Sequence, residues 1–313
     1  MVTLAVAVDP HEDFAQWKEA FSRIMPDLRV VWHEDADLHP SCVDYLLAWD
    51  PGHGTAARFP ALKAILCAGA GIDHLLRDPD WPHAIPLVRM GGEETATLME
   101  EYVTWACLSL MRETRTWALQ QERHVFHRHL TTRSARDTTV GIMGMGHLGT
   151  RVAHRLSAFG FGVRGWSRTP RDLNGIEVFA GDDGIADFLS RTDILVSLLP
   201  STPRTRDLID RKLLSHLPRG AGLVNVGRGD QLREGDLMEA LDEGRLSGAI
   251  LDVFRHEPLP PDSPLWDHPA ITITPHAAAE ASRIGQVSYL AGVIADIERG
   301  GTPELLYRPE RGY

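Results

Sequence analysis

The sequence has little that would tie it to a membrane, a metal or a polyanion. Its 313 residues include three cysteines, Cys42, Cys67 and Cys107, none of them in C-x-x-C spacing. That excludes a disulfide framework and a cysteine-based zinc site, and no metal is expected. Positive charge is the scarcer sign: 32 Lys plus Arg against 43 Asp plus Glu give a formal charge of −11. Such a balance argues against nucleic acid or an anionic membrane surface as a partner. A few local arginines or a helix N-terminus can still bind a small anion. No apolar run reaches the roughly 20 residues that a bilayer-spanning helix needs. The opening MVTLAVAVDPHEDF lacks a basic leader and reads as a buried strand, not a signal peptide. The expectation is a soluble cytoplasmic protein, and the length suits two domains of ordinary size.

What is present is an alternation of short apolar runs with helical patterns, the mark of parallel α/β architecture. Strands are expected at 4–8, 28–32, 45–49, 62–67 and 87–89, forming a small doubly wound sheet. Phe14, Trp17, Phe21 and Ile24 lie three or four apart and make one stripe of a helix. A second series is expected at 139–143, 162–166, 194–198, 222–225, 248–253 and 271–274. Between the two series, residues 93–121 read as one long helix without Pro or Gly. It has one apolar face of Met99, Tyr102, Val103, Ala106 and Leu110, and another of Trp105 and Leu108. Two apolar faces need two partners, either two packed layers or a second copy of the chain. The polar stretch 124–137 reads as a solvated surface segment. A last helix, 278–298, is free to return to the first domain because the six strands of the second series make a complete sheet.

Residues 140–149 read VGIMGMGHLG, with Gly144, Gly146 and Gly149 in G-x-G-x-x-G spacing. The loop follows an apolar strand and opens a helix, the context a dinucleotide site requires. Gly144 permits the tight turn, Gly146 lets the backbone approach a pyrophosphate, and Gly149 lets helix pack on strand. The amides of Met145, His147 and Leu148 complete the loop. The expected fold is therefore α/β with two doubly wound parallel-sheet domains. A Rossmann-type cofactor domain spans 96–282, and a smaller flavodoxin-like substrate domain is discontinuous, 1–95 plus 283–313.

A free ribose 2′-hydroxyl is usually held by Asp or Glu about 20 residues beyond such a loop. Here that place reads Trp166-Ser167-Arg168-Thr169, with no carboxylate before Asp172. Ser167 and Thr169 can donate hydrogen bonds and Arg168 can clamp a phosphate, so NADP is favoured over NAD. Arg164 and Arg171 stand nearby.

Three more segments carry polar groups just past expected strands: NVGRG at 225–229, DVFRHEP at 252–258 and TPHA at 274–277. In an open parallel sheet, ligands bind outside the carboxyl ends of the strands. Arg228, Glu257 and His276 all sit there. His276 can deliver a proton near neutral pH, Glu257 would favour its imidazolium, and Arg228 can neutralise an anion. The loop AGAGID at 68–73 is either an anion-binding nest of backbone amides or a plain strand-to-helix turn. Trp49, in AWDPG, is either a pocket wall or a scaffold ring.

NVGRG, DVFRHEPLP and TPHAA resemble the signature segments of the D-2-hydroxyacid dehydrogenases. WSRTP, AGAGID and the final RGY resemble, within them, the glyoxylate/hydroxypyruvate reductase A group. The resemblance implies Arg228 as the substrate-binding and carbonyl-polarising residue, His276 as acid/base and Glu257 as its partner. It implies substrate contacts at Ala70, Gly71 and Ile72, and a nicotinamide contact at Asp252. Leu199, Pro200, Val226 and Gly227 would supply the remaining cofactor contacts. The implied activity is NADPH-dependent reduction of a small 2-keto acid by a homodimer. A dehydrogenase of another small acid, or a dinucleotide-sensing binding protein, is the alternative on the same fold.

Overall fold

The computed structural model describes residues 1–8, 11–128, 131 and 133–312. Of the segments noted above, Asp9 and Pro10 of the opening segment, Tyr313 of RGY and residues 129, 130 and 132 of the polar stretch lie outside the described residues. The chain forms two compact units, Met1–Thr95 with Ala281–Tyr313, and Ala96–Glu280.

The first unit is built on a parallel sheet of β1 (Thr3–Val8), β2 (Arg29–Trp32), β3 (Tyr45–Trp49), β4 (Ala64–Cys67) and β5 (Leu87–Val88). Its order, β2-β1-β3-β4-β5, is that of flavodoxin-like sheets. Both faces are buried, so the strands are continuously apolar rather than alternating. Leu4, Val6, Tyr45, Leu47 and Leu66 point into one core, which α1 (Phe14–Ile24) covers with Trp17, Ala20 and Phe21. Ala5, Ala7, Leu46, Ala48, Ile65 and Cys67 point into the other, closed by Phe59, Leu62, Ile72, Leu75 and Trp81.

Two long helices follow the first sheet, where the sequence suggests one. α2 (Glu93–Arg112) and α3 (Thr114–Glu122) are separated by Glu113, whose φ is +54°. That left-handed turn on a residue with a Cβ is strained, and the residue type gives no warning of it.

The second unit holds β6 (Thr139–Met143), α4 (His147–Phe159), β7 (Gly162–Ser167), β8 (Glu177–Ala180), α5 (Ile185–Leu189) and β9 (Ile194–Ser197). It continues through α6 (Arg211–Ser215), β10 (Ala221–Asn225), α7 (Glu234–Asp242), β11 (Leu246–Leu251) and β12 (Ile271–Ile273). All seven strands are parallel, in the order β12-β11-β10-β9-β6-β7-β8. This is the Rossmann order extended by one strand. The sequence reading has six strands and misses β8. β8 is a four-residue edge strand with no buried residue, so its pattern is weak. Arg164 of β7 reaches across to hold it, bonding Glu177 at 2.8 Å and stacking 4.4 Å from the Phe179 ring centre.

Val140, Ile142, Ile194, Val196, Val224 and Ile250 face one side, covered by Met99, Val103, Ala106 and Cys107 of α2 and by Val152, Ala153 and Leu156 of α4. Met143, Leu195, Leu223 and Leu251 face the other, beneath α6 and α7. One apolar face of α2 is thus accounted for. On the other, Trp105 rests edge-on against Tyr102 and stays 43% exposed.

The last helix, α8 (Arg283–Glu298), is shorter than its apolar pattern suggests. Ser282 caps it, accepting from the Gly285 N–H at 3.1 Å, while Ala277 and Ala278 donate their amides elsewhere. Val287, Leu290, Val293 and Ile294 bury α8 in the core of the first unit.

Candidate active site

β6 and β9 are neighbours at the point where strand order reverses, which opens a crevice at their carboxyl ends. The glycine loop lies there, and each glycine has its own reason. Gly144 has φ +104°, and a Cβ on it would sit 2.7 Å from the Leu198 carbonyl oxygen. A Cβ on Gly149 would come within 1.9 Å of the Gly144 carbonyl oxygen, so α4 meets the loop backbone directly. A Cβ on Gly146 would meet nothing within 4 Å. Its open side is the cradle that a pyrophosphate needs, at the positive end of α4. His147 is exposed and Leu148 half-buried. The Met145 side chain is buried against Gly165, leaving its backbone as the part a ligand can reach. These residues fit a dinucleotide.

At the end of β7, Ser167 Oγ donates to the Thr169 carbonyl at 2.6 Å and folds the turn, leaving Arg168 and Thr169 exposed. The Trp166 indole is buried and donates to Gly181 O at 2.9 Å, so its ring belongs to the scaffold. Arg164 is engaged with β8 and with the carbonyls of Asp187 and Phe188, away from any phosphate role. Leu199 and Val226 are buried, with Pro200 half-buried beside them.

β10, β11 and β12 are adjacent, so the loops that leave their carboxyl ends are neighbours as well. His276 Nδ1 lies 2.7 Å from Glu257 Oε2. The other Glu257 oxygen accepts the Phe254 N–H at 2.8 Å. Burial pushes the Glu257 carboxyl up. The hydrogen bonds from His276 and Phe254, and the charges of His276 and Arg228, outweigh it and hold the group below the usual range. The hydrogen bond to Glu257 raises His276 above its usual pKa, against burial and the Arg228 charge. Arg228 therefore acts electrostatically on both partners. Its Nη1 donates to the Gly227 carbonyl at 2.8 Å.

The His276 loop is held in a strained form, with φ +54° at His276 itself. Asp252, 1% exposed, supplies the restraint. Its Oδ1 accepts from Thr274 Oγ1 at 2.6 Å and the Ala277 N–H at 2.9 Å, and its Oδ2 accepts the Ala278 N–H at 3.0 Å. With its own proton committed to Asp252, Thr274 Oγ1 accepts from Tyr102 Oη at 2.5 Å. The sequence points to Asp252 through resemblance alone. Thr274 and Phe254 lie within the TPHA and DVFRHEP segments, but nothing there marks the hydroxyl or the amide as a restraint, and Tyr102 stands in no motif.

In the first unit, the 68–72 loop leaves β4. Met90 N–H bonds Gly69 O at 3.0 Å, and Cys67 Sγ touches both Gly69 N (3.4 Å) and Gly71 O (3.5 Å). The amides of Ala70, Gly71 and Ile72 have no hydrogen-bond partner among the described residues. The Ile72 side chain is buried in the core, so it is the backbone that this loop presents. The Trp49 ring lies over Gly69, where a Cβ would stand 2.3 Å from it, and meets His74 edge-on at 4.3 Å. Trp49 is 37% exposed. No group of three His, Cys, Asp or Glu among the described residues could hold a metal ion. No helix among them is long and apolar enough to cross a membrane.

Residues 104–278 match the family model for the NAD-binding domain of the D-isomer-specific 2-hydroxyacid dehydrogenases. Glyoxylate/hydroxypyruvate reductase A of Serratia proteamaculans (strain 568) is 38% identical over 299 residues, covering 94% of this chain and 95% of that protein. Two solved structures superpose with TM-scores of 0.91. One is a D-isomer-specific 2-hydroxyacid dehydrogenase of Xanthobacter autotrophicus Py2 in complex with NADPH and MES, 38% identical, covering 100% of this chain and 99% of that one. The other is the NADPH-dependent glyoxylate/hydroxypyruvate reductase of Sinorhizobium meliloti with NADP and sulfate, 36% identical, with 100% of both chains covered.

Proposed function

Because the chain belongs to the D-isomer-specific 2-hydroxyacid dehydrogenase family, we propose that it reduces small 2-keto acids with NADPH: glyoxylate to glycolate and hydroxypyruvate to glycerate. The observation that carries this reading is the His276–Glu257 pair under the charge of Arg228, in the same unit as the glycine loop. The loop from Gly144 to Gly149 would hold the pyrophosphate, and Arg168 with Ser167 and Thr169 the 2′-phosphate. Backbone groups at Leu199, Pro200, Val226 and Gly227, and the Asp252 carboxylate, would complete the cofactor site. When bound, NADPH supplies the hydride to the carbonyl carbon.

The protein's own residues supply the rest. Glu257 holds Nδ1 of the His276 imidazolium, which directs the Nε2 proton to the carbonyl oxygen. Arg228 neutralises the substrate anion and stabilises the charge that develops on that oxygen. The unpartnered amides of Ala70, Gly71 and Ile72 would be the donors offered to the substrate carboxylate. Free thiols at Cys42, Cys67 and Cys107 fit the reducing cytoplasm.

The test is NADPH oxidation measured against a panel of small 2-keto acids. Turnover of glyoxylate or hydroxypyruvate is expected. Tight NADPH binding without turnover of any of them would replace this reading with dinucleotide sensing. The open side of α2 and α3, where Trp105 and Trp117 are exposed, is suited to a second copy of the chain. Sedimentation should therefore find a dimer, and a monomer at assay concentrations would remove that part of the reading.

A further inference from the structure

Gln231 has no solvent exposure although it carries an amide. Its Nε2 donates to the Leu199 carbonyl at 2.6 Å. Its Oε1 accepts from Ser197 Oγ at 2.9 Å and from the Arg228 N–H at 3.4 Å. The carbonyl can only accept and the N–H can only donate, so the orientation of the amide is determined. Ser197 ends β9, Leu199 lies just beyond it, and Arg228 follows β10. One side chain therefore ties together the ends of two neighbouring strands. The fit around it is close: a Cβ on Gly227 would stand 2.7 Å from Gln231 Oε1 and 2.8 Å from Leu199 O.

The two segments it joins are those assigned above to the cofactor and to the substrate. An apolar side chain of similar volume would fill the space without directing either segment, because packing lacks the angular demand of a hydrogen bond.

We propose that Gln231 is a positioning residue for keto-acid reduction, its buried amide setting Arg228 at a fixed distance from the 197–199 segment. The inference rests on the functional reading given above. Gln231 touches no reacting atom and acts through the backbone on either side of it.

The experiment compares full-length parent, Gln231→Leu and Gln231→Glu in NADPH-dependent glyoxylate reduction over roughly pH 5–8, with melting temperatures alongside. Gln231→Leu keeps the bulk and loses every bond. Its kcat/KM should fall about tenfold or more, chiefly through the KM of the keto acid. In Gln231→Glu an ionised carboxylate would turn a lone pair toward the Leu199 carbonyl. A protonated one restores an O–H donor there and an acceptor for Ser197 and Arg228. Burial raises a carboxyl pKa, so the ratio of this variant's kcat/KM to the parent's should climb as pH falls.

A scaffold role would lower the melting temperature and leave kcat/KM and the ratio's pH profile unchanged. Folded variants with parent-like kinetics overturn the proposal, as does a Glu variant whose ratio to parent is flat with pH. Failure of both variants to fold would make Gln231 scaffold and overturn it too. A parent that reduces no keto acid defeats the functional reading instead, which separates the two failures.

Discussion

Glu257 Oε2 stands 2.7 Å from His276 Nδ1, which leaves Nε2 as the nitrogen available to a substrate. The pairing raises His276 and lowers Glu257. Reduction requires the imidazolium, so activity should be present below the raised His276 pKa and fade as pH climbs through it. Glu257→Gln removes the largest cause of the raise, and the fade should begin at lower pH. A pH–rate profile that does not move on this substitution would break the pair.

His276→Ala should bind NADPH nearly as well as the parent and turn over about 100- to 10,000-fold more slowly, the usual worth of a positioned proton donor. Fluorescence titration and steady-state rates read the two quantities apart. Near-parental turnover would remove His276 from the chemistry.

Gly146 and Gly149 should fail differently. Gly146→Ala adds a methyl where no atom lies within 4 Å, so melting temperature should hold while NADPH affinity falls. Gly149→Ala drives a methyl into the Gly144 carbonyl and should cost about 1–3 kcal/mol of stability before any ligand is added. Undiminished NADPH affinity in Gly146→Ala would move the pyrophosphate elsewhere.

Arg168→Glu should cut NADPH affinity about 10- to 100-fold, in line with the loss of charge-assisted hydrogen bonds, and leave NADH affinity much less changed. Binding titrations with both nucleotides decide it. Equal losses would end the assignment of the 2′-phosphate to this turn.

Trp49→Ala removes the ring that lies over Gly69. With a folded variant, turnover of bulkier keto acids should improve relative to glyoxylate. A lower melting temperature with unchanged preference would make Trp49 part of the scaffold. A parent that prefers phenylpyruvate to glyoxylate would refute the small-substrate assignment itself.

Much of the architecture is legible because burial on both faces writes strands as unbroken apolar runs, as in TLAVAV and YLLAW. β8 escapes because an edge strand needs no such run, and its Arg164 partner looks from sequence like a phosphate ligand. The break at Glu113 escapes because nothing in the residue type signals a positive φ there. In the site, groups that carry charge or lack a side chain are easy to find: Arg228, Glu257, His276 and the three glycines. Gln231 and Tyr102 are invisible by the same measure, and Thr274, though inside TPHA, has nothing to mark its hydroxyl. Their importance lies in hydrogen bonds to segments far away in sequence, and a local pattern holds no record of such partners.

The return of α8 to the first unit bears on the order in which the protein can be made. Trp17, Phe21, Leu47 and Val88 share their core with Val287, Leu290 and Ile294. On a ribosome the first five strands emerge long before those three residues exist. One face of the amino-terminal sheet must therefore wait, partly bare, through synthesis of the entire second unit. The second unit, being continuous, can close its own core in the meantime. The earliest part of the chain to appear is thus among the last to be completed, and its uncovered face is where a chaperone would have most to shield.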